Sequence, residues 1–85
     1  MECFALFDAK MGEYMSPFYS ANRSTGVREI MSLLQNENHP VTIHAQDYTL
    51  YHLGTFDTAT GEHGNDYGPQ ALFNLANLKE NPDNA

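Results

Sequence analysis

The chain has 85 residues, of which eleven are acidic and four are basic, so its formal net charge is −7 with histidine neutral. This length allows one hydrophobic core, and a hydrophobic content of 41% is enough to form that core and to exclude wholesale disorder. Such an acidic surface repels phosphate backbones and favours basic partners, which argues against sequence-independent binding to DNA.

Two further features bear on the compartment. Cys3 is the single cysteine, so an intramolecular disulfide is excluded and nothing indicates an oxidising environment. No apolar run approaches the roughly 18–20 residues of a membrane span, and the N-terminal residues lack the basic segment of a signal peptide. We therefore expect a protein of the cytosol in which it is made, with one domain over residues 1–80 and a frayed polar tail over residues 81–85.

The first predicted element is a strand over Glu2–Asp8, in which both alternating faces are largely apolar. This pattern predicts a strand that is central in its sheet or covered on both sides. A returning strand is predicted over Glu13–Ser20. Because Pro17 cannot donate a ladder hydrogen bond, this strand is expected at a sheet edge.

A short frame, Phe-Asp, three variable residues and Gly-Glu, occurs in residues 7–13 and again in residues 56–62. In each copy the aspartate is expected to accept backbone N–H groups and the glycine to supply a positive φ, as a tight turn requires. The frame is explained either by the general frequency of Asp and Gly in turns or by an internal repeat of a strand–hairpin–strand–helix unit. The predicted structural turn residues are Asp8, Gly12, Asp57 and Gly61.

The segment between the two turns contains the strongest helical pattern. Its apolar residues recur at intervals of three and four and form one stripe, which consists of Val27, Ile30, Met31 and Leu34. Asn22, Ser24 and Thr25 can each cap this helix, and the sequence does not choose among them. Residues 41–43 are predicted to form a connector that packs Ile43 beneath the helix, with a short strand as the alternative.

A second long strand is predicted over Tyr48–Phe56, followed by a short or irregular return and a short helix beginning near Pro69. If helices cover only one side of the sheet, the other side of this strand is a candidate contact surface for a basic, partly apolar partner or for a second copy. The alternative is that the 41–43 segment or the terminal helix covers it. Strict alternation assigns to this face Thr49, Tyr51, Leu53 and Thr55.

Together these elements predict an α+β fold, in which one amphipathic helix and a short C-terminal helix pack on a small antiparallel sheet made from two β-hairpins.

The residues that most often carry chemistry do not form a recognisable site. The four histidines have no metal-ligand spacing, no serine lies in a nucleophile motif, and Cys3 has no basic neighbour that would lower its pKa. Paired turn carboxylates are better explained by turn capping than by catalysis. We therefore expect no enzymatic activity, no metal and no cofactor. The tyrosines could stack nucleobases, although the negative charge opposes this interpretation.

The run from His44 to Asp57, followed by Thr60-Gly61, resembles the small nonstructural protein of gokushovirus-type microviruses, which are single-stranded DNA bacteriophages. The shared features are a histidine-led start, Gly-x-Phe-Asp and a Thr-Gly turn. The N-terminal part is similar as well, with a strand, a turn and then Pro17-Phe18. At Ala45-Gln46 the sequence departs from the family, which usually has Pro-Glu there.

This resemblance implies a phage accessory protein that is made in the host, is absent from the mature virion and takes part in single-stranded DNA synthesis or genome packaging. We expect it to act through contacts with a basic viral replication or capsid-assembly protein or a host factor, with homo-oligomers possible and direct nucleic-acid binding weak. Two alternatives remain. One is an acidic DNA mimic that inhibits a host nuclease, and the other is a single-stranded DNA-binding protein that uses strand tyrosines.

Overall fold

A computed structural model describes residues 1–65 and 67–81. The strands are β1 (Glu2–Asp8), β2 (Glu13–Tyr14), β3 (Phe18–Ser20), β4 (Tyr48–Phe56), β5 (His63–Gly64) and β6 (Gln70–Asn74). The helices are α1 (Arg23–Leu33), α2 (Pro40–Ile43) and α3 (Leu75–Glu80), and a 3₁₀ turn (Ala45–Asp47) precedes β4.

The two long strands β1 and β4 pair antiparallel at the centre of one sheet. Strands β2 and β3 pair with the two ends of β1 on its outer side, and the break between β2 and β3 contains Pro17. Strands β5 and β6 pair in the same way with the two ends of β4 on its outer side. The sheet is therefore four strands wide, and each outer strand is interrupted. The predicted α+β fold with two hairpins is confirmed.

All three helices pack on one face of this sheet, which we call the helix-covered face. Asn22 caps α1, since its side chain accepts the Thr25 backbone N–H at 2.9 Å. The core under the helices consists of Phe4, Leu6, Val27, Ile30, Leu34, Val41, Ala45, Leu50, Leu75 and Leu78. Within the described residues, no helix has the length and apolar content that crossing a membrane requires.

Two expectations about the connections are wrong. Ile43 does not pack beneath α1 but is 56% exposed, because α2 forms a helical turn capped by His39 that buries Val41 and Thr42 instead. The terminal helix does not begin near Pro69. Gln70–Asn74 instead pair with the outer side of β4 as strand β6. The helix begins only after Asn74, which caps it. In the predicted polar tail, residues 82–85 lie outside the described residues.

The chain consists of two halves with the same order of elements: a long strand, a turn, an interrupted returning strand and a helix capped by asparagine. The two long strands run antiparallel, so the halves are related by an approximate two-fold axis between them. This arrangement has the strand–hairpin–strand–helix unit that the repeated turn frame suggests.

Candidate protein-binding face

The opposite side of the sheet is not covered by any of the helices of the described chain. Cross-strand pairs identify its members, because directly paired residues point to the same side. Tyr19 pairs with Cys3, Tyr51 with Ala5, and Tyr14 with Phe7. We call this side the aromatic face. Its six rings belong to Phe7, Tyr14, Tyr19, Tyr51, Phe56 and His63.

Three of these rings form a cluster at one end of the central strands. The Phe7 and Tyr14 ring centroids lie 4.9 Å apart, and Tyr51 contacts both rings, at 6.1 Å from Phe7 and 5.3 Å from Tyr14. All three contacts are edge-to-face, which is a favourable geometry for aromatic pairs. This first triad joins side chains from β1, β2 and β4.

The other three rings form a second triad at the opposite end. Phe56 and His63 lie 4.8 Å apart, and Tyr19 lies 5.8 Å from Phe56 and 6.4 Å from His63. The Tyr19 hydroxyl is 3.4 Å from Nε2 of His63. This second triad joins β3, β4 and β5.

Two of the three rings in each triad come from equivalent positions of the two halves. Phe7 is the first residue of the first turn frame, and Tyr14 is the residue that follows its end. Phe56 and His63 occupy the same two places in the second frame. The frame is therefore one residue longer than the sequence pattern first indicates, because each Gly-Glu is followed by a ring that folds back on the opening phenylalanine. This extended frame is the signal in the sequence that could have identified two of the three rings in each triad.

The turns that close these frames share one geometry. Oδ1 of Asp8 accepts the backbone N–H groups two and three residues later at 2.9 and 3.2 Å, and Oδ1 of Asp57 does so at 2.8 and 3.3 Å. Gly12 and Gly61 end the turns at φ 70° and 77°, and each donates its N–H to the aspartate carbonyl of its own turn. The structure thus places all four predicted turn residues in matching structural positions.

The predicted membership of the contact face is only half right. Thr49 and Tyr51 lie on the aromatic face, but Leu53 is the extra residue of a β-bulge, because Cys3 pairs with Gly54 and the next residue of β1 pairs with His52. The bulge reverses the alternation, so Thr55 points to the helix side.

Gly54 is the physical cause of this bulge. It has φ 145°, which other residues rarely adopt, and a Cβ there would collide with the carbonyl oxygen of Gly64. A glycine inside a strand often marks a bulge, so the sequence did contain this signal.

The aromatic face carries no formal charge on its strands. Among the described residues, none of the strand positions on this side is Asp, Glu, Lys or Arg, and the charged strand residues Glu2, Asp8 and Glu13 belong to the other side. The Cys3 thiol and partial burial raise the pKa of the Tyr19 phenol above its usual range. Exposed carboxylates lie at the two ends of the sheet instead, in or beside the turns.

His39 and His44 lie at the two ends of α2, and His63 belongs to the second triad. His52 sits on the helix-covered side, where its Nε2 is 3.0 Å from a carboxylate oxygen of Glu2 and its ring contacts Phe4 edge-on. Over residues 1–65 and 67–81, no three His, Cys, Asp or Glu side chains come together as a metal site would need.

Near the 3₁₀ turn, burial and the carboxylates of Asp8 and Asp47 raise the pKa of the Tyr48 phenol. The polar groups described so far therefore serve the fold and the electrostatic surroundings of the aromatic face.

The model of the family described as Phage ORF5 protein matches residues 1–78 of this sequence. Because that match covers most of the chain, the chain belongs to this family and is a phage protein. Comparisons with curated proteins and with solved structures found no match.

Proposed function

We propose that this member of the Phage ORF5 protein family is a non-enzymatic accessory protein of gokushovirus-type single-stranded DNA phages. It acts in the host cytoplasm, through protein contacts, in viral single-stranded DNA synthesis or genome packaging. The observation that carries the proposal is the segregation of charge, in which an uncharged aromatic face is bordered at both ends by acidic turns.

An apolar centre with a polar rim is the usual anatomy of a protein interface, and tyrosine and phenylalanine are enriched at its core. The rim here consists of the acidic turns at the two ends of the sheet. Glu13 and Glu62 occupy equivalent places in the two turn frames and are both exposed, and Glu13 pairs with Asp8 on the helix-covered side of its strand. Carboxylates in these positions attract a basic protein and accelerate its encounter. A replication initiator or a capsid precursor that handles phage DNA has this chemistry.

Single-stranded DNA binding is the second candidate, because an open sheet with exposed tyrosines can stack bases. Tyr14 and Tyr19 are 44% and 40% exposed. However, the described strands contain no Lys or Arg at all, so the face offers no cation to a phosphate backbone. We expect no affinity for mixed-sequence single-stranded DNA tighter than about micromolar at physiological salt.

The test measures binding of the purified phage replication initiator and capsid protein by interferometry at several salt concentrations. The variant Glu13→Gln with Glu62→Gln removes two carboxylates from the rim, and Glu37→Gln with Glu80→Gln removes two exposed carboxylates elsewhere. We expect the rim variant to weaken binding by roughly three- to tenfold, with a lower association rate, and the control to change little.

Equal effects of the two variants, or no binding to either phage protein, would contradict the proposed role. A tight fluorescence-anisotropy isotherm with single-stranded DNA would contradict it as well. A steep salt slope in that isotherm would indicate phosphate contacts, and a flat one would indicate base stacking.

A further inference from the structure

We infer that the aromatic face is covered by a second copy of this chain, so that the protein forms a homodimer with its two sheets face to face. This inference rests on the proposed function, because it names the first partner of the same face. The dimer would leave both pairs of acidic turns at its edges, where a basic phage protein can reach them.

The amount of exposed ring surface requires a cover. Tyr14 is 44% exposed and Tyr19 is 40% exposed, and each belongs to a cluster of three rings with no helix above it. Single exposed apolar side chains are ordinary, but two clusters of partly exposed rings on one side of a sheet mark an interaction surface.

Charge decides between the possible occupants. A nucleic acid would find no strand cation on this face, and a basic protein would find carboxylates only at its ends, which stay accessible when the centre is covered. A second copy brings an equally uncharged surface. Although each chain carries a net charge of −7, face-to-face packing keeps the carboxylates of both copies at the rim, where solvent and salt screen them.

The face is also complementary to itself. A two-fold dimer places the same surface on both subunits, so each feature must meet a matching one. Here the triads of Phe7 and Phe56 lie at opposite ends of the central strands, and the short side chains of Cys3 and Ala5 lie between them. An antiparallel copy would bring each triad against a triad of its partner.

The area of the face indicates whether the dimer is obligate or reversible. Four strands span about 19 Å and six residues along a strand span about 20 Å, so the flat footprint is about 400 Å². A standard stable complex buries about 800 Å² on each partner. We therefore expect a weak, reversible dimer rather than an obligate one.

Sedimentation velocity from about 5 to about 500 µM tests this directly, since a weak dimer changes its degree of association over micromolar concentrations. Ala71 pairs with Tyr51 and is exposed, so a new side chain there should be tolerated by the fold. Ala71→Glu adds a carboxylate to the uncharged face, and Ala71→Gln adds the same volume without charge. We expect Ala71→Glu to weaken dimerisation at least about tenfold relative to Ala71→Gln, because two such charges would be buried together.

A second pair of variants tests the rings. Tyr14→Ser with Tyr19→Ser removes exposed aromatic surface from the face, and Met11→Ser with Ile43→Ser removes exposed apolar surface from elsewhere. The tyrosine variant should be monomeric at concentrations where the control still dimerises. Circular dichroism melts establish that all four variants are folded.

A wild-type chain that stays monomeric at about 500 µM would overturn the dimer, as would equal effects of the matched variants or dissociation of the dimer by single-stranded DNA. The partner-binding assay separates this failure from a failure of the proposed function. If the Glu13 and Glu62 variants weaken binding of a phage protein by a monomer, the proposed function stands and the dimer does not. If the chain dimerises without binding either phage protein, the reverse holds.

Discussion

The two faces of the sheet are made by the same strands but are stabilised in different ways. On the helix-covered face, the core side chains of β1 and β4 are Phe4, Leu6 and Leu50, and they are 0–6% exposed because helices seal them. On the aromatic face, Ala5 is also 0% exposed, although no helix of the described chain covers it. The neighbouring rings shield it instead, and they remain partly in water.

This difference shows that burial alone does not identify a core. Leu50 is buried by packing between layers, whereas Ala5 is buried because large cross-strand neighbours such as Tyr51 lean over it. Sealing by helices stabilises the fold of the single chain. A layer of half-exposed rings leaves apolar surface that only another molecule can remove from water. The predictions below test whether the two faces differ in this way.

The sharpest comparison uses two consecutive residues of β4. Leu50→Ala should cost about 2–5 kcal/mol, because it leaves a cavity under the helices. Tyr51→Ala should cost less than half as much, because Tyr51 is only partly buried and its space can fill with water. Urea denaturation at low protein concentration, where any dimer is dissociated, measures both. Equal losses would mean that the aromatic face is a second core.

The next largest effect concerns the contact between α1 and the sheet. A Cβ at Gly26 would lie 2.7 Å from the tip of the Phe4 ring, so Gly26→Ala should destabilise by about 1–3 kcal/mol. This loss should appear although alanine favours helices over glycine by about 1 kcal/mol. Ser24→Ala in the same helix is exposed and should be neutral or slightly stabilising. A more stable Gly26→Ala variant would show that α1 does not press on the sheet there.

The sequence was sufficient for the elements that local patterns determine. The bounds of β1 and β4, the stripe of α1 and the paired turns could all be predicted, because alternation, helical spacing and turn chemistry act within a few residues. The start of α3 was mispredicted because the outer side of β4 recruited residues 70–74 into the sheet, which is a long-range effect. The side of the sheet on which Thr55 lies was mispredicted, because strict alternation was assumed to continue through Gly54, where the bulge occurs.

The two turns should respond equally if the two halves are equivalent. Gly12→Val and Gly61→Val each force a branched residue to positive φ where nothing lies within 4 Å, so the cost is that of the backbone, about 1–2 kcal/mol. Because the turns are at opposite ends of the sheet, the double variant should show the sum within about 0.5 kcal/mol. Thermal melts check this. If both single variants are neutral, the turn geometry described here is incorrect.

The smallest effect is expected for the pair of His52 and Glu2, which is a polar contact on the helix-covered side. The two groups are 3.0 Å apart, and their side chains are 23% and 30% exposed, so solvent screens much of their attraction. A double-mutant cycle with His52→Gln and Glu2→Gln should give a coupling of about 0.2–1 kcal/mol that falls as salt is added. His63→Gln, on the aromatic face, should show no coupling to Glu2→Gln. A coupling above about 2 kcal/mol would place this pair among buried ion pairs. The helix-covered face would then depend on a polar contact, and its contrast with the aromatic face would no longer be one of apolar packing alone.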